Sequence, residues 1–229
     1  QEKDGTIIPL NHNSGILYAK ATQNPDGTLN AMNLKNPWLF EMADGTYGVI
    51  AQRINPDGSE DITSVGKLLL FSSDDLIHYE EKTLLDLGRG NAIADAICFC
   101  REDEHAYVIM WKEGDEEFYS LMAESFDEIA DSCVMVSDRE RFEEVTALKL
   151  MIPTGSSLPE GAILRNGLDV PDTVAERLKV RFITPENTEN EVPKRVEISS
   201  LEELNNIKAV AKYSDGSSVE KRIDWYAEG

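Results

Sequence analysis

Cysteine, histidine and positive charge are all scarce in this chain of 229 residues. Its three cysteines, Cys98, Cys100 and Cys133, are an odd number, which excludes a fully paired disulfide framework within one chain. Cys98 and Cys100 lie in the strand-like run AICFCRE, where alternation puts both on one face. With no further ligand at metal spacing they read as small buried hydrophobes, and no metal site is expected. There are three histidines, of which His12 and His78 have no partner at catalytic spacing. His78 reads as structural and His105 as solvated. Only 22 basic residues stand against 43 acidic ones, a formal charge of −21. That field repels a phosphate backbone, so neither nucleic acid nor an anionic membrane surface is an expected partner. A neutral ligand is compatible with it, and solubility alone also accounts for it. No apolar run approaches the roughly 20 residues that span a bilayer, so no membrane insertion is expected. The opening QEKDGTIIPL lacks a basic stretch followed by an apolar one and has no initiator Met. The chain is expected to be processed, or part of something longer.

What is present is strand signal. NPWLFEM (36–42) is followed by the turn Ala43-Asp44-Gly45-Thr46 and by YGVIAQR (47–53), an apolar run broken by Asp-Gly and resumed. The loop NPDGSEDITSVG leads to KLLLFSS (67–73), and TLLDL follows DDLIHYEE. These form one antiparallel meander of about four strands. A second consists of ADAICFC (94–100), YVIMWKE (107–113), EFYSLMA (117–123) and CVMVS (133–137). Tyr47 and Tyr107, and likewise Asn36 and Asp95, recur at a period of about sixty residues. Four short strands per unit at that period predict two propeller-type blades over residues 1–137. Two blades alone cannot close a ring, so open flanks are expected.

Residues 138–190 lose the alternation and read as a connecting segment. Val174, Leu178 and Phe182 at helical spacing, after Pro171, Asp172 and Thr173, predict a short helix near 172–182. TPENTENEVP reads as a polar linker. Residues 191–229 read as a small, incomplete β-sandwich: an entry strand VPKRVEIS, a strand at 207–213, a Ser-Asp-Gly turn, and a partner strand in VEKRIDWYAEG. The fold class expected is mainly β, a partial propeller plus this module.

Asn36-Pro37, Asp44-Gly45-Thr46-Tyr47 and Ser73-Asp74-Asp75-Leu76-Ile77-His78-Tyr79 carry a resemblance. Over about residues 30–125 the chain resembles two blades of the five-bladed propellers of glycoside hydrolase family 43 and its relatives. The resemblance implies a secreted or cell-surface bacterial protein acting on plant polysaccharides such as arabinan or xylan. Inverting hydrolysis needs a carboxylate to activate water and a carboxylic acid, roughly 6.5–9.5 Å away, to protonate the leaving oxygen. By the resemblance the base position falls on Asn36, whose amide cannot take up water's proton. Asp95 falls on the carboxylate that tunes the acid, and Glu160, in Leu158-Pro159-Glu160-Gly161-Ala162, is similar to the segment that carries the acid. The structural alternatives are a strand-entry carboxylate for Asp95 and a plain loop residue for Glu160. Asn36, Trp38 and Arg53 are candidates for binding sugar, Trp38 by stacking, while Trp111 reads as core. Residues 191–229 resemble bacterial immunoglobulin-like domains on Tyr213-Ser214-Asp215-Gly216 and Trp225. No cofactor is expected. The expected partners are carbohydrate and other domains of a larger parent protein. A hydrolase segment and a non-catalytic, glycan-binding accessory module both fit.

Overall fold

The structure is a computed structural model that describes residues 7–8, 10–11, 14–101, 106–122, 126, 133–135, 163–183, 185–214 and 216–226. Four-stranded antiparallel sheets form where the two meanders were expected. The first joins β3 (Asn33–Glu41), β4 (Tyr47–Ile54), β5 (Lys67–Ser73) and β6 (Glu80–Asp86) in chain order, after a short hairpin of β1 (Thr22–Gln23) and β2 (Leu29–Asn30). The second joins β7 (Asp95–Arg101), β8 (Ala106–Glu113), β9 (Glu116–Met122) and β10 (Cys133–Met135), again in chain order. By packing, the chain divides into two units, Gln1–Phe182 and Ile183–Gly229.

Asp-Gly turns set the register. At Asp26, Asp44 and Asp57 one carboxylate oxygen accepts both the backbone N–H and the hydroxyl of the residue two positions on, Thr28, Thr46 or Ser59. Those bonds hold all three carboxyls below their ordinary pKa. Between them Gly45 takes φ +80°, a left-handed conformation that a Cβ disfavours, and its N–H closes the turn on the Met42 carbonyl at 2.9 Å. One local device therefore reverses the chain at successive hairpins.

The central strands β4 and β8 are buried on both faces, which is why they read as unbroken apolar runs. Alternation in β3 sends Trp38 and Phe40 toward the second sheet and Leu39 to the opposite face, with Val49, Leu69 and Phe71. The first strands of the two sheets, β3 and β7, pack against each other around Trp38, Ile97, Ile109 and Trp111. Across that seam the Trp38 Nε1–H donates to the Cys98 carbonyl at 2.8 Å, and the Ala43 N–H donates to the Tyr107 hydroxyl at 2.9 Å. The paired tyrosine positions, sixty residues apart in sequence, thus mark equivalent places in two similar sheets.

Helix α1 (Asp172–Phe182) forms where predicted. Asp172 lies in its first turn and Lys179 and Arg181 in its last, the polarity the helix dipole favours. Val174, Leu178 and Phe182 are half-buried along one stripe. The second unit is a single three-stranded sheet, β11 (Asn187–Glu191), β12 (Lys208–Tyr213) and β13 (Ser218–Arg222), with no facing sheet among the described residues. Two expectations are corrected. VPKRVEIS forms no strand, because both edges of β12 are already taken by β11 and β13. The strand lies instead in the polar stretch read as linker. Residues Leu201–Asn206 form a 3-10 turn.

Phe40 lies over Gly48, its partner across the β3–β4 ladder, and a Cβ there would stand 2.3 Å from the ring. Gly48→Ala is expected to cost about 1–3 kcal/mol through displacement of the ring. The check is the shift in urea midpoint at unchanged slope.

Candidate functional site

The bulge of β3 and the start of β7 bring two of the sequence-predicted residues together. Asn36 sits at a bulge, where pairing with β4 slips between Lys35 and Trp38, and it holds φ +51°. Asparagine tolerates that left-handed conformation better than most residues. Its Nδ2 donates to the carbonyl of Ala94 at 3.1 Å, beside Asp95. Asp95 opens β7; its Oδ1 accepts the Ala96 N–H at 2.9 Å and a short ion-paired hydrogen bond from the Arg165 guanidinium. Arg165 and Asp95 are about three-quarters buried, and the Arg165 Nε is buried with no hydrogen-bond partner.

Asp95 is placed by the loop before it. Arg89 and Asn91 of that loop bond the buried Glu113 carboxylate at 3.0 and 2.7 Å, and the Trp111 indole N–H completes the set at 2.9 Å. Burial raises the Glu113 pKa, but these donors outweigh it and hold the carboxyl below its usual range. The Arg89 guanidinium also stacks 3.8 Å above the Phe118 ring. The loop is thus anchored at the far end of β8 and delivered to β7 by the Ala94 N–H, which donates to the Lys112 carbonyl.

Asn166 lies against the outer edge of β3. Its Oδ1 accepts the Leu39 N–H at 3.3 Å, and its Nδ2 donates to the Leu39 carbonyl at 2.6 Å. Beside it is a cavity of about 370 Å³, lined by the later residues of β3, by Cys98, Phe99 and Cys100 of β7, and by Asn166, Gly167 and Leu168. The two β7 cysteines line this one space. Burial pushes the Cys98 thiol well above its ordinary pKa. Among the described residues no group of three or more His, Cys, Asp or Glu side chains could hold a metal ion.

Other predicted residues sit elsewhere. Trp38 is 1% exposed and its N–H is bonded inside the seam, so its ring has no free face for stacking. An alternating pattern says which residues share a face, not that the face is covered, and here the second sheet covers it. Arg53 is turned into the β4–β5 loop: its Nε donates to Asp61 at 2.8 Å and an Nη donates to Thr63 at 3.0 Å. Trp111 is core. His78, exposed, pairs through Nδ1 with Asp75 at 2.8 Å, and Asp75 also caps the backbone N–H groups of Ile77 and His78. Glu160, His12 and His105 lie outside the described residues.

Reading by sequence missed Arg165 and Asn166. Their partners, Asp95 and Leu39, are 70 and 127 residues away. The only local signal is a polar Arg-Asn-Gly following the apolar pair Ile163-Leu164. Asn36 and Asp95 present an amide and a carboxylate, groups suited to binding hydroxyls. Asn36 cannot act as a base, and Asp95 is ion-paired with Arg165. Comparison of the chain with models of known families, with curated proteins and with solved structures finds no match in any of the three.

The loop carboxylates dictate an acid sensitivity. Burial raises the Asp61 pKa, but donors from Thr63, Arg53 and Ser64 outweigh it and bring it from the usual 3.8 to about 2. Asp75 is held at about 2 against burial by the His78 and Ile77 N–H groups and the His78 ring. Both contributions to stability are complete above the unfolded value of 3.8 and vanish as pH falls through about 2. Urea unfolding from pH 6 to 2 should show a steep loss of stability below about pH 4. Asp61→Asn should flatten that loss by up to about 2 kcal/mol.

Proposed function

We propose that this chain is part of a secreted or cell-surface bacterial protein acting on carbohydrate, and that its two sheets hold glycan without hydrolysing it. In this reading the sheets are adjacent blades of a family 43-like propeller, and the three-stranded unit belongs to an immunoglobulin-like spacer. The supporting observation is the meeting of Asn36 and Asp95. Asn36 stands at the bulge of its sheet's first strand and Asp95 at the start of the other's, the two joined through the Ala94 carbonyl. That is where the family resemblance puts the base and the carboxylate that tunes the acid. The amide at Asn36 removes general-base chemistry from the position that the resemblance gives to the base, and Asp95 is ion-paired with Arg165. They leave hydrogen-bonding groups that match sugar hydroxyls, and the overall charge of −21 favours a neutral ligand such as arabinan or xylan over an acidic one. Hydrolysis belongs, in this reading, to a parent in which other blades supply the acid and base.

The test is calorimetric titration with arabino- and xylo-oligosaccharides, beside assays on aryl arabinosides and xylosides. Weak binding and no turnover are expected. Asn36→Gly keeps the left-handed backbone while deleting the amide, and should weaken binding about tenfold. Robust turnover abolished by Asp95→Asn would defeat the non-catalytic reading, and absence of any oligosaccharide binding would defeat the carbohydrate reading.

A further inference from the structure

The segment 163–168 is joined to its surroundings in an unusual way. β3 is the edge strand of its sheet, so the outward N–H and C=O of Leu39 need partners. A neighbouring strand would supply them from its backbone along several residues. Here, among the described residues, one side-chain amide does so at Leu39, through the two bonds to Asn166. The adjacent Arg165 reaches Asp95 but leaves its own Nε buried and unpartnered, a costly arrangement. The segment is also flanked by open hollows at the surface. The cavity of about 370 Å³ lies on one side of Asn166, and a hollow of about 360 Å³, bounded by Leu17, Pro37, Val49 and Tyr79, lies on the other.

We propose that residues 163–168 are a displaceable strap, closed in this structure, over the groove along β3 and β7 in which the glycan binds. The proposal rests on the carbohydrate reading above and adds its regulation. Each polar contact of the strap has a counterpart in a chain of sugar hydroxyls. A hydroxyl accepts from the Leu39 N–H and donates to the Leu39 carbonyl, and another donates to the Asp95 carboxylate once Arg165 withdraws. The apolar walls at Leu39, Met42 and Phe99 suit the C–H faces of the rings. With Arg165 gone, the bared Asp95 charge opposes an anionic ligand, so the displacing species is a neutral oligosaccharide. Closure lowers apparent affinity by the fraction of molecules in which the strap is open.

Cys100 is a half-buried thiol lining the cavity that Asn166–Leu168 border, so its reactivity reports opening without any ligand. Cys98 is fully buried, and Cys133→Ser removes the remaining background. In that background Asn166→Asp deletes the donor to Leu39 and sets a carboxylate against its carbonyl. Cys100 labelling should rise roughly tenfold, and affinity for xylo- or arabino-oligosaccharide should rise by a similar factor. Unchanged labelling overturns the strap as a mobile element. Faster labelling with unchanged or weaker oligosaccharide binding overturns it as a gate. Faster labelling with no oligosaccharide bound by either protein upholds the displaceable strap and sinks the carbohydrate reading alone. Hydrogen exchange on the unmodified chain tests the same point should Asn166→Asp fail to fold. The Leu39 amide should exchange well before those of the buried β4 ladder, and equal protection overturns the proposal.

Discussion

The first unit depends on the seam between β3 and β7. Each sheet alone is a meander with one covered face at most, and four strands of this length do not bury enough apolar surface to persist with the other face wet. At the seam the Trp38 indole is driven into the neighbouring sheet and bonded to the Cys98 carbonyl, so its polar atom is satisfied where its ring is most buried. Asn36, at the bulge of β3, and Ala43, in the turn after it, make the matching bonds on either side. Everything proposed about the site follows from this contact, because it brings Asn36 beside Asp95 and creates the groove that the segment with Arg165 and Asn166 covers.

The buried network around Glu113 is the second determinant. It ties the loop preceding β7 to the end of β8 with an arginine, an asparagine and an indole. Removal of one of these donors would leave part of a buried carboxylate unsatisfied, so the network acts as a unit. Its effect on the site is positional: it determines where β7 begins and therefore where the Asp95 carboxylate stands.

Local chemistry made much of the fold legible. Asp-Gly turns marked the strands of the first sheet, unbroken apolar runs those of both, and Pro171-Asp172-Thr173 marked the start of α1 within its observed range. Legibility failed where a strand exists only because a neighbour recruits it. Asn187–Glu191 is wholly exposed and carries no apolar signal, yet it pairs with β12; Val196 and Ile198 alternate correctly but find no free edge. At the site, Asn36 and Asp95 were visible through the repeat of the meander. Trp38 was misplaced because burial depends on what packs above a face. Arg165 and Asn166 were invisible because long-range side-chain pairing leaves no periodicity to read.

The order of strands in both sheets follows the order of the chain. Every ladder bond within these sheets is therefore made between strands consecutive in the chain, and the loop-closure entropy of each step is small. Contacts between the sheets, such as Trp38 with Cys98, join residues sixty positions apart. The meanders can thus zip hairpin by hairpin while their docking waits for a longer search. Indole fluorescence from Trp38 would then record the last event of refolding, after amide signals from the hairpins have reached their final values.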